Sequence, residues 1–132
     1  MGAVSDDEFE SWIKQTFGHK IDKVLLTTVA GVTFDNEDGT NRQSLIGQCV
    51  TYQRLSLVAE PENKYDKGAV RVETQDGRML GYVPRNFGLP FGPDRWHAVV
   101  RAITISSDSK PASLCMCVMR KIVDDKSERG AL

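Results

Sequence analysis

The chain has 132 residues, a formal net charge of −1, and 40% hydrophobic and 27% charged residues. That length supports one domain with its own core and no metal or disulfide staple, and the near-neutral balance gives the whole molecule no electrostatic pull toward nucleic acid. No apolar run approaches the ~18 residues of a membrane span, and acidic residues stand where a signal peptide would be basic, so the expectation is an intracellular, cytoplasmic protein with no membrane contact.

Ser5-Asp6-Asp7-Glu8 forms a capping box with acids in the first turn, which predicts a helix over residues 6–17. Phe9, Trp12, Ile13 and Phe17 recur at helical spacing and make one apolar stripe, ended by Gly18. Two readings are open for this amphipathic helix. It packs on the rest of the fold, or it recruits a partner protein or a second copy of the chain into a weak dimer. Residues 23–34 read as a long strand rich in Val, Leu and Thr, with Gly31 inviting a bulge or bend. The acidic turn Asp35-Asn36-Glu37-Asp38-Gly39-Thr40 lacks the spacing and closing glutamate of a calcium loop and reads as solvated. Residues 41–47 read as a short helix or turn.

Leu55, Leu57 and Ala59 alternate as in a strand and feed a polar crossover, Glu60-Pro61-Glu62-Asn63-Lys64-Tyr65-Asp66-Lys67-Gly68. Pro61 and Gly68 shape its two ends. A second strand follows with Val70 and Val72 on one face. Gln75-Asp76-Gly77-Arg78 then reads as a type I′ hairpin turn, leading to a third strand over 79–83 that Pro84 stops. Residues 85–93 hold two prolines and two glycines, too many for more than one helical turn. Phe87, Leu89 and Phe91 alternate there, either folding inward as a lid or presenting aromatics at the surface. Residues 96–106 and 112–123 read as long strands apolar on both faces, joined by a hairpin, with a fraying tail beyond. The organisation expected is an N-terminal helix over 1–20, a β-barrel domain over 21–123 and a flexible tail over 124–132.

Gly47, the run Leu57-Val58-Ala59-Glu60-Pro61-Glu62-Asn63-Lys64-Tyr65-Asp66-Lys67-Gly68-Ala69-Val70, and Asp76-Gly77-Arg78-Met79-Leu80-Gly81-Tyr82-Val83-Pro84-Arg85 together resemble the HIRAN domain. The resemblance implies a mainly β fold, a small OB-like antiparallel β-barrel, found alone in bacteria and phages and fused to Swi/Snf-type DNA translocases in eukaryotes. It also implies a module that holds single-stranded DNA at its 3′-hydroxyl end and so recruits to damaged or stalled DNA. On that basis Tyr65 stacks on the last base, and Asp66 accepts the terminal hydroxyl and repels a 3′-phosphate. Lys64, Lys67, Arg42 and Arg85 meet phosphates, of which Arg85 alone falls where the family carries a basic residue. Where DNA-binding members place an aromatic near the short helix this chain has Ser44, and Tyr52 is the candidate replacement stacking face.

Read from residues alone, Tyr65 and Asp66 have a plainer role, with the ring covering the barrel rim and the acid capping amides of its own turn. Charge separates along the chain: residues 1–38 carry 3 basic and 8 acidic residues, residues 39–101 carry 9 and 6. Cys49, Cys115 and Cys117 contain no C-x-x-C pair, and His19 and His97 have no zinc spacing. With no P-loop, nucleophile elbow or H-E-x-x-H motif, the expectation is a binding protein with no cofactor or metal. The alternative is an interaction module that partners a DNA-processing enzyme without touching DNA.

Overall fold

The computed structural model describes residues 3–123, so the tail expected over 124–132 lies outside the described residues. The first helix, α1 (Asp6–Phe17), begins where the sequence places it. The Ser5 hydroxyl oxygen accepts the Glu8 N–H, and three acids fill the first turn. After a 3-10 turn, Gly18–Lys20, the chain forms β1 (Ile21–Thr28), α2 (Arg42–Gly47), β2 (Arg54–Ala59), β3 (Val70–Thr74) and β4 (Met79–Tyr82). A second 3-10 turn, Pro93–Arg95, leads into β5 (Trp96–Thr104) and β6 (Ser113–Lys121).

The strands form one antiparallel sheet in the order β1-β6-β5-β2-β3-β4. The ladder does not close end to end. Its two edges meet at one bridge, where Ala30 and Tyr82 exchange N–H···O bonds of 2.8 Å each way. The architecture is therefore mainly β, an OB-like barrel with a seam, carrying an N-terminal helix.

Two apolar clusters divide the two faces of the longest strands. Along β5, Trp96, Ala98 and Val100 point into the barrel, where they meet Leu55, Val72, Leu80, Leu114, Met116 and Val118, with Ile46 of α2 at one end. On the opposite face Val99, Cys117 and Met119 lie beneath Phe9, Ile13 and Phe17 of α1. Arg101 adds a strap: it stacks on Phe9, 4.8 Å from the ring centre, and reaches the Asp6 carboxylate at 2.7 Å. The helix stripe is thus spent inside the chain. This is the packing reading of the stripe: Phe9, Ile13 and Phe17 are buried on the sheet, and Trp12 is half-buried beside them. Burial raises the pKa of all three thiols, that of Cys117 to about 12, as befits structural cysteines.

Three local expectations change. The strand expected over 23–34 ends at Thr28, because Gly31, at φ 71°, turns the chain just beyond the Ala30 bridge. The hairpin between β3 and β4 is not type I′. Only Gly77 of its residues has positive φ, 88°, and the Gly77 N–H bonds the Thr74 carbonyl, giving an ordinary turn followed by a left-handed glycine bulge. In the 85–93 segment Phe87 and Leu89 pack on the core while Phe91 is 70% exposed, so the alternating aromatics divide between the two readings.

The seam sets one steric condition. A Cβ on Gly81 would run into the Ala30 carbonyl oxygen and sit 2.8 Å from Val29 Cγ1, both on the opposing edge. Gly81→Ala should therefore destabilise the domain by about 1–3 kcal/mol, the scale of overpacking, in urea unfolding followed by circular dichroism. Wild-type stability in that variant would mean the seam opens at no cost.

Candidate functional site

The crossover joining β2 to β3 is held by side chains from its own sequence. The Asn63 side-chain oxygen accepts the N–H groups of Tyr65 and Asp66 at 2.9 and 3.0 Å, an Asx arrangement that folds the loop on itself. The Asn63 amide in turn donates to Glu60 Oε1 at 2.9 Å. The same oxygen accepts the Tyr82 hydroxyl at 2.9 Å, and Glu60 Oε2 lies 3.3 Å from Arg71 Nε. One carboxylate thus ties the loop to β3 and β4. Burial, then the bond to Glu60 and its negative charge, raise the Tyr82 pKa.

With its backbone fixed this way, the loop exposes Tyr65 and places Asp66 and Lys67 on a groove that Arg85, just after β4, also lines. The Tyr65 ring is 87% exposed and does not cover the barrel rim. Asp66 Oδ1 accepts the Gly68 N–H at 2.9 Å, so half of the plain capping role is present, while Oδ2 faces Arg85 Nε at 3.6 Å. Arg85 also donates to the Tyr65 carbonyl at 3.2 Å. The groove holds about 300 Å³, at the small end of ligand clefts. Ala59, Val70, Val83 and Pro84 give it an apolar floor, with Asp66, Lys67 and Arg85 at the rim and Phe87 and Leu89 along the wall. The Asp66–Arg85 pair is weak. Arg85 is 74% and Asp66 30% exposed, and pairs of that kind contribute about 0–1 kcal/mol, so a ligand can replace either partner.

The sequence candidates divide on this geometry. Asp66, Lys67 and Arg85 line the groove, whereas Tyr65 and Lys64 are exposed on the same loop without lining it. Arg42 does not reach it. Its residue is 8% exposed, and its guanidinium is spent on Asn36 Oδ1 at 2.7 Å, the Gly31 carbonyl at 2.8 Å and the Tyr82 ring. This corrects its expected phosphate role, since the guanidinium is buried and each of its nitrogens already donates inside the fold, to Asn36, Gly31 and Met79. Tyr52 is corrected too: it stacks on Phe9 at 5.7 Å and lies tilted against Trp12 at 4.6 Å, on the α1 side of the sheet. Sequence reasoning missed the bracing by Glu60 and Tyr82. The signal for Asn63 was present in its spacing, an Asn two residues before the aromatic. Among the described residues no group of three or more His, Cys, Asp or Glu side chains could hold a metal.

A family model described as the HIRAN domain matches residues 24–87, which span most of β1, then α2, the crossover and β2 to β4. Over those residues the chain is similar to HIRAN domains. HIRAN domains are DNA-binding modules. The HIRAN domain of human HLTF has a similar structure, with a TM-score of 0.55 and 16% identity over 80% of this chain and 81% of that one. A protein from Lactobacillus plantarum is similar at a TM-score of 0.50 and 18% identity, covering 74% of this chain and 97% of that one. At such identities these likenesses speak for the fold alone. No curated protein sequence matches the chain significantly. Among the described residues no helix is long and apolar enough to cross a membrane.

Replacing Glu60 by Ala leaves the Asn63 amide and the Tyr82 hydroxyl without their acceptor and removes one of the two carboxylates beside Arg71, whose ion pair with Glu73 at 2.7 Å remains. We expect a loss of about 1–3 kcal/mol together with faster amide exchange at Tyr65 and Asp66. Unchanged exchange at those two amides would show that the loop needs no brace. The Tyr82 pKa is raised on folding, so the stability its phenol contributes is complete below about pH 10, its unfolded value, and is lost as pH rises through the higher folded value. Tyr82→Phe should remove that alkaline step from the unfolding curve.

Proposed function

We propose that the groove beside the crossover binds the end of a single DNA strand. The observation that carries this reading is a groove in the HIRAN-like segment with a carboxylate, Asp66, and a cation, Arg85, on its lining, and an exposed aromatic, Tyr65, next to Asp66 in the chain with its carbonyl bonded by Arg85. Stacking needs an unpaired base, which favours a single strand over a duplex, and a stacked base is worth about 1–3 kcal/mol whatever its identity. The terminal sugar then lies on the apolar floor, and its 3′-hydroxyl donates to Asp66 Oδ2, the carboxylate oxygen not committed to the Gly68 amide. Arg85 leaves its weak pairing with Asp66 to meet the last phosphodiester, and Lys67 and Lys64 add charge at the rim. A 3′-phosphate in the same place brings two anions together and is rejected. The residues act by binding alone, and such recognition would bring the protein to broken or stalled strands.

Fluorescence anisotropy with short oligothymidylates ending in 3′-hydroxyl or 3′-phosphate tests this. The hydroxyl end should bind at least about tenfold tighter, the worth of one hydrogen bond to a charged acceptor. Tyr65→Ala should weaken it by the stacking energy, and Asp66→Asn should narrow the difference between the two ends. Equal affinity for both ends, or no binding, removes the hydroxyl-capture reading.

A further inference from the structure

A second groove, of about 310 Å³, lies on the outer face of the sheet just past the C-terminal end of α1. Three neighbouring strands each contribute to it: Arg54 and Ser56 from β2, His97 from β5 and Lys121 from β6. The outer facing follows from register and contact. Arg54 pairs with Val99 and His97 with Met119, and both Val99 and Met119 lie under α1. Helix α1 ends at Phe17, whose ring supports the Arg54 guanidinium at 4.8 Å and touches the His97 ring at 4.8 Å, so the sheet beyond it is left open.

The charges here lack partners of their own. Among the described residues Arg54 makes no ion pair or hydrogen bond, and its position is set by the Phe17 ring. The Lys121 ammonium donates only to the Asp94 carbonyl, at 3.0 Å. The single carboxylate on the lining belongs to Asp94, against one arginine, one lysine and one histidine. Burial, then Lys121 and Arg54, lower the His97 pKa, so its ring is neutral near pH 7 and gains a proton once an anion offsets the two cations. Where the first groove has an apolar floor, this one offers three cationic or protonatable groups, with the Ser56 hydroxyl and Gln75 amide beside them.

The two grooves share one lining residue, Pro93, and both draw on β2, the second at Arg54 to Leu57 and the first at Ala59. Five residues of strand separate their ends by about 17 Å, a distance that several nucleotides span. We infer that the Arg54–His97–Lys121 groove is a phosphate-binding subsite, holding the sugar–phosphate backbone of the strand whose end lies beside Asp66 and Arg85. This rests on the end-binding reading for the source of the phosphates. The chemistry of the groove itself, a pre-oriented guanidinium with an ammonium and an imidazole, is that of an oxyanion site.

The test compares oligothymidylates of two and eight nucleotides, each with a 3′-hydroxyl or 3′-phosphate, by anisotropy at several salt concentrations and at pH 5.5 and 7.5. Arg54→Gln and, separately, Lys121→Gln should each weaken the eight-mer roughly tenfold at low salt and reduce the slope of log K against log salt by about 0.7, the single-strand value per phosphate contact. Neither should change the two-mer. The eight-mer should bind more tightly at pH 5.5, and His97→Gln should abolish that gain. Lys121→Gln guards against a folding effect, because its ammonium touches only a carbonyl, and thermal unfolding of each variant serves as control. Unchanged eight-mer affinity in both variants, or equal losses for the two lengths, overturns the subsite. An eight-mer that is sensitive to Arg54→Gln but indifferent to its 3′ group upholds the subsite and removes the end-binding reading instead.

Discussion

The Glu60 carboxylate is the point on which the groove depends. It comes at the end of β2, directly before Pro61, and its two oxygens meet an amide from the crossover, a phenol from β4 and a guanidinium from β3. A nine-residue loop of polar residues has a large conformational entropy and no apolar surface to offset it. Here that cost is met by hydrogen bonds to ionised or backbone groups, each worth more than a neutral surface contact because the carboxylate is largely shielded from water. Glu60 and Asn63 spend their side chains inward, and for that reason Tyr65 and Asp66 face outward. The bonding continues past the loop: the Tyr82 ring that donates to Glu60 also lies 5.8 Å beneath Arg42, which in turn holds the Gly31 turn. Crossover, seam and α2 are thus coupled through one tyrosine.

A second constraint fixes where open surface remains. Helix α1 has 12 residues, fewer than needed to cover the outer face of the three strands beneath it. Under the helix Val99, Cys117 and Met119 are apolar and buried, and beyond Phe17 the same face changes to Arg54, His97 and Lys121. The change in chemistry coincides with the end of cover. Phe17 takes part in both regions, one face closing the core and its ring supporting a cation at the rim.

Much of this could be read in the sequence wherever the signal was local. The Ser5 cap, the helical spacing of Phe9, Ile13 and Phe17, and the alternation around Val70 and Val72 each depend on residues a few positions apart, and each gives the element expected. The two-faced apolar character of β5 and β6 also translated directly, since one face lines the barrel and the other lies under α1. What could not be read depends on distant partners. Arg42 looks like any loop cation until Gly31, Asn36 and Tyr82 are placed around it, and Tyr52 is an ordinary aromatic until α1 folds over it. The early end of β1 has the same origin: residues 29–34 are rich in strand formers, but the Ala30 bridge to Tyr82 and the turn at Gly31 override propensity. The Asp-Gly turn departed for a local reason, because Asp76 keeps negative φ when Gly77 alone supplies the left-handed position. The second groove is composed of residues 54, 97 and 121, too far apart in the chain for any motif to join them.

The central claim is that the crossover is a wall of the binding site and not only a connection between strands. Amide chemical-shift perturbation on titrating a 3′-hydroxyl oligothymidylate into the labelled protein tests it most directly. The largest shifts are expected at Tyr65, Asp66, Gly68 and Arg85, with the first turns of α1 unmoved. Saturable binding that leaves those four amides in place, or shifts concentrated on α1 and α2, would contradict it.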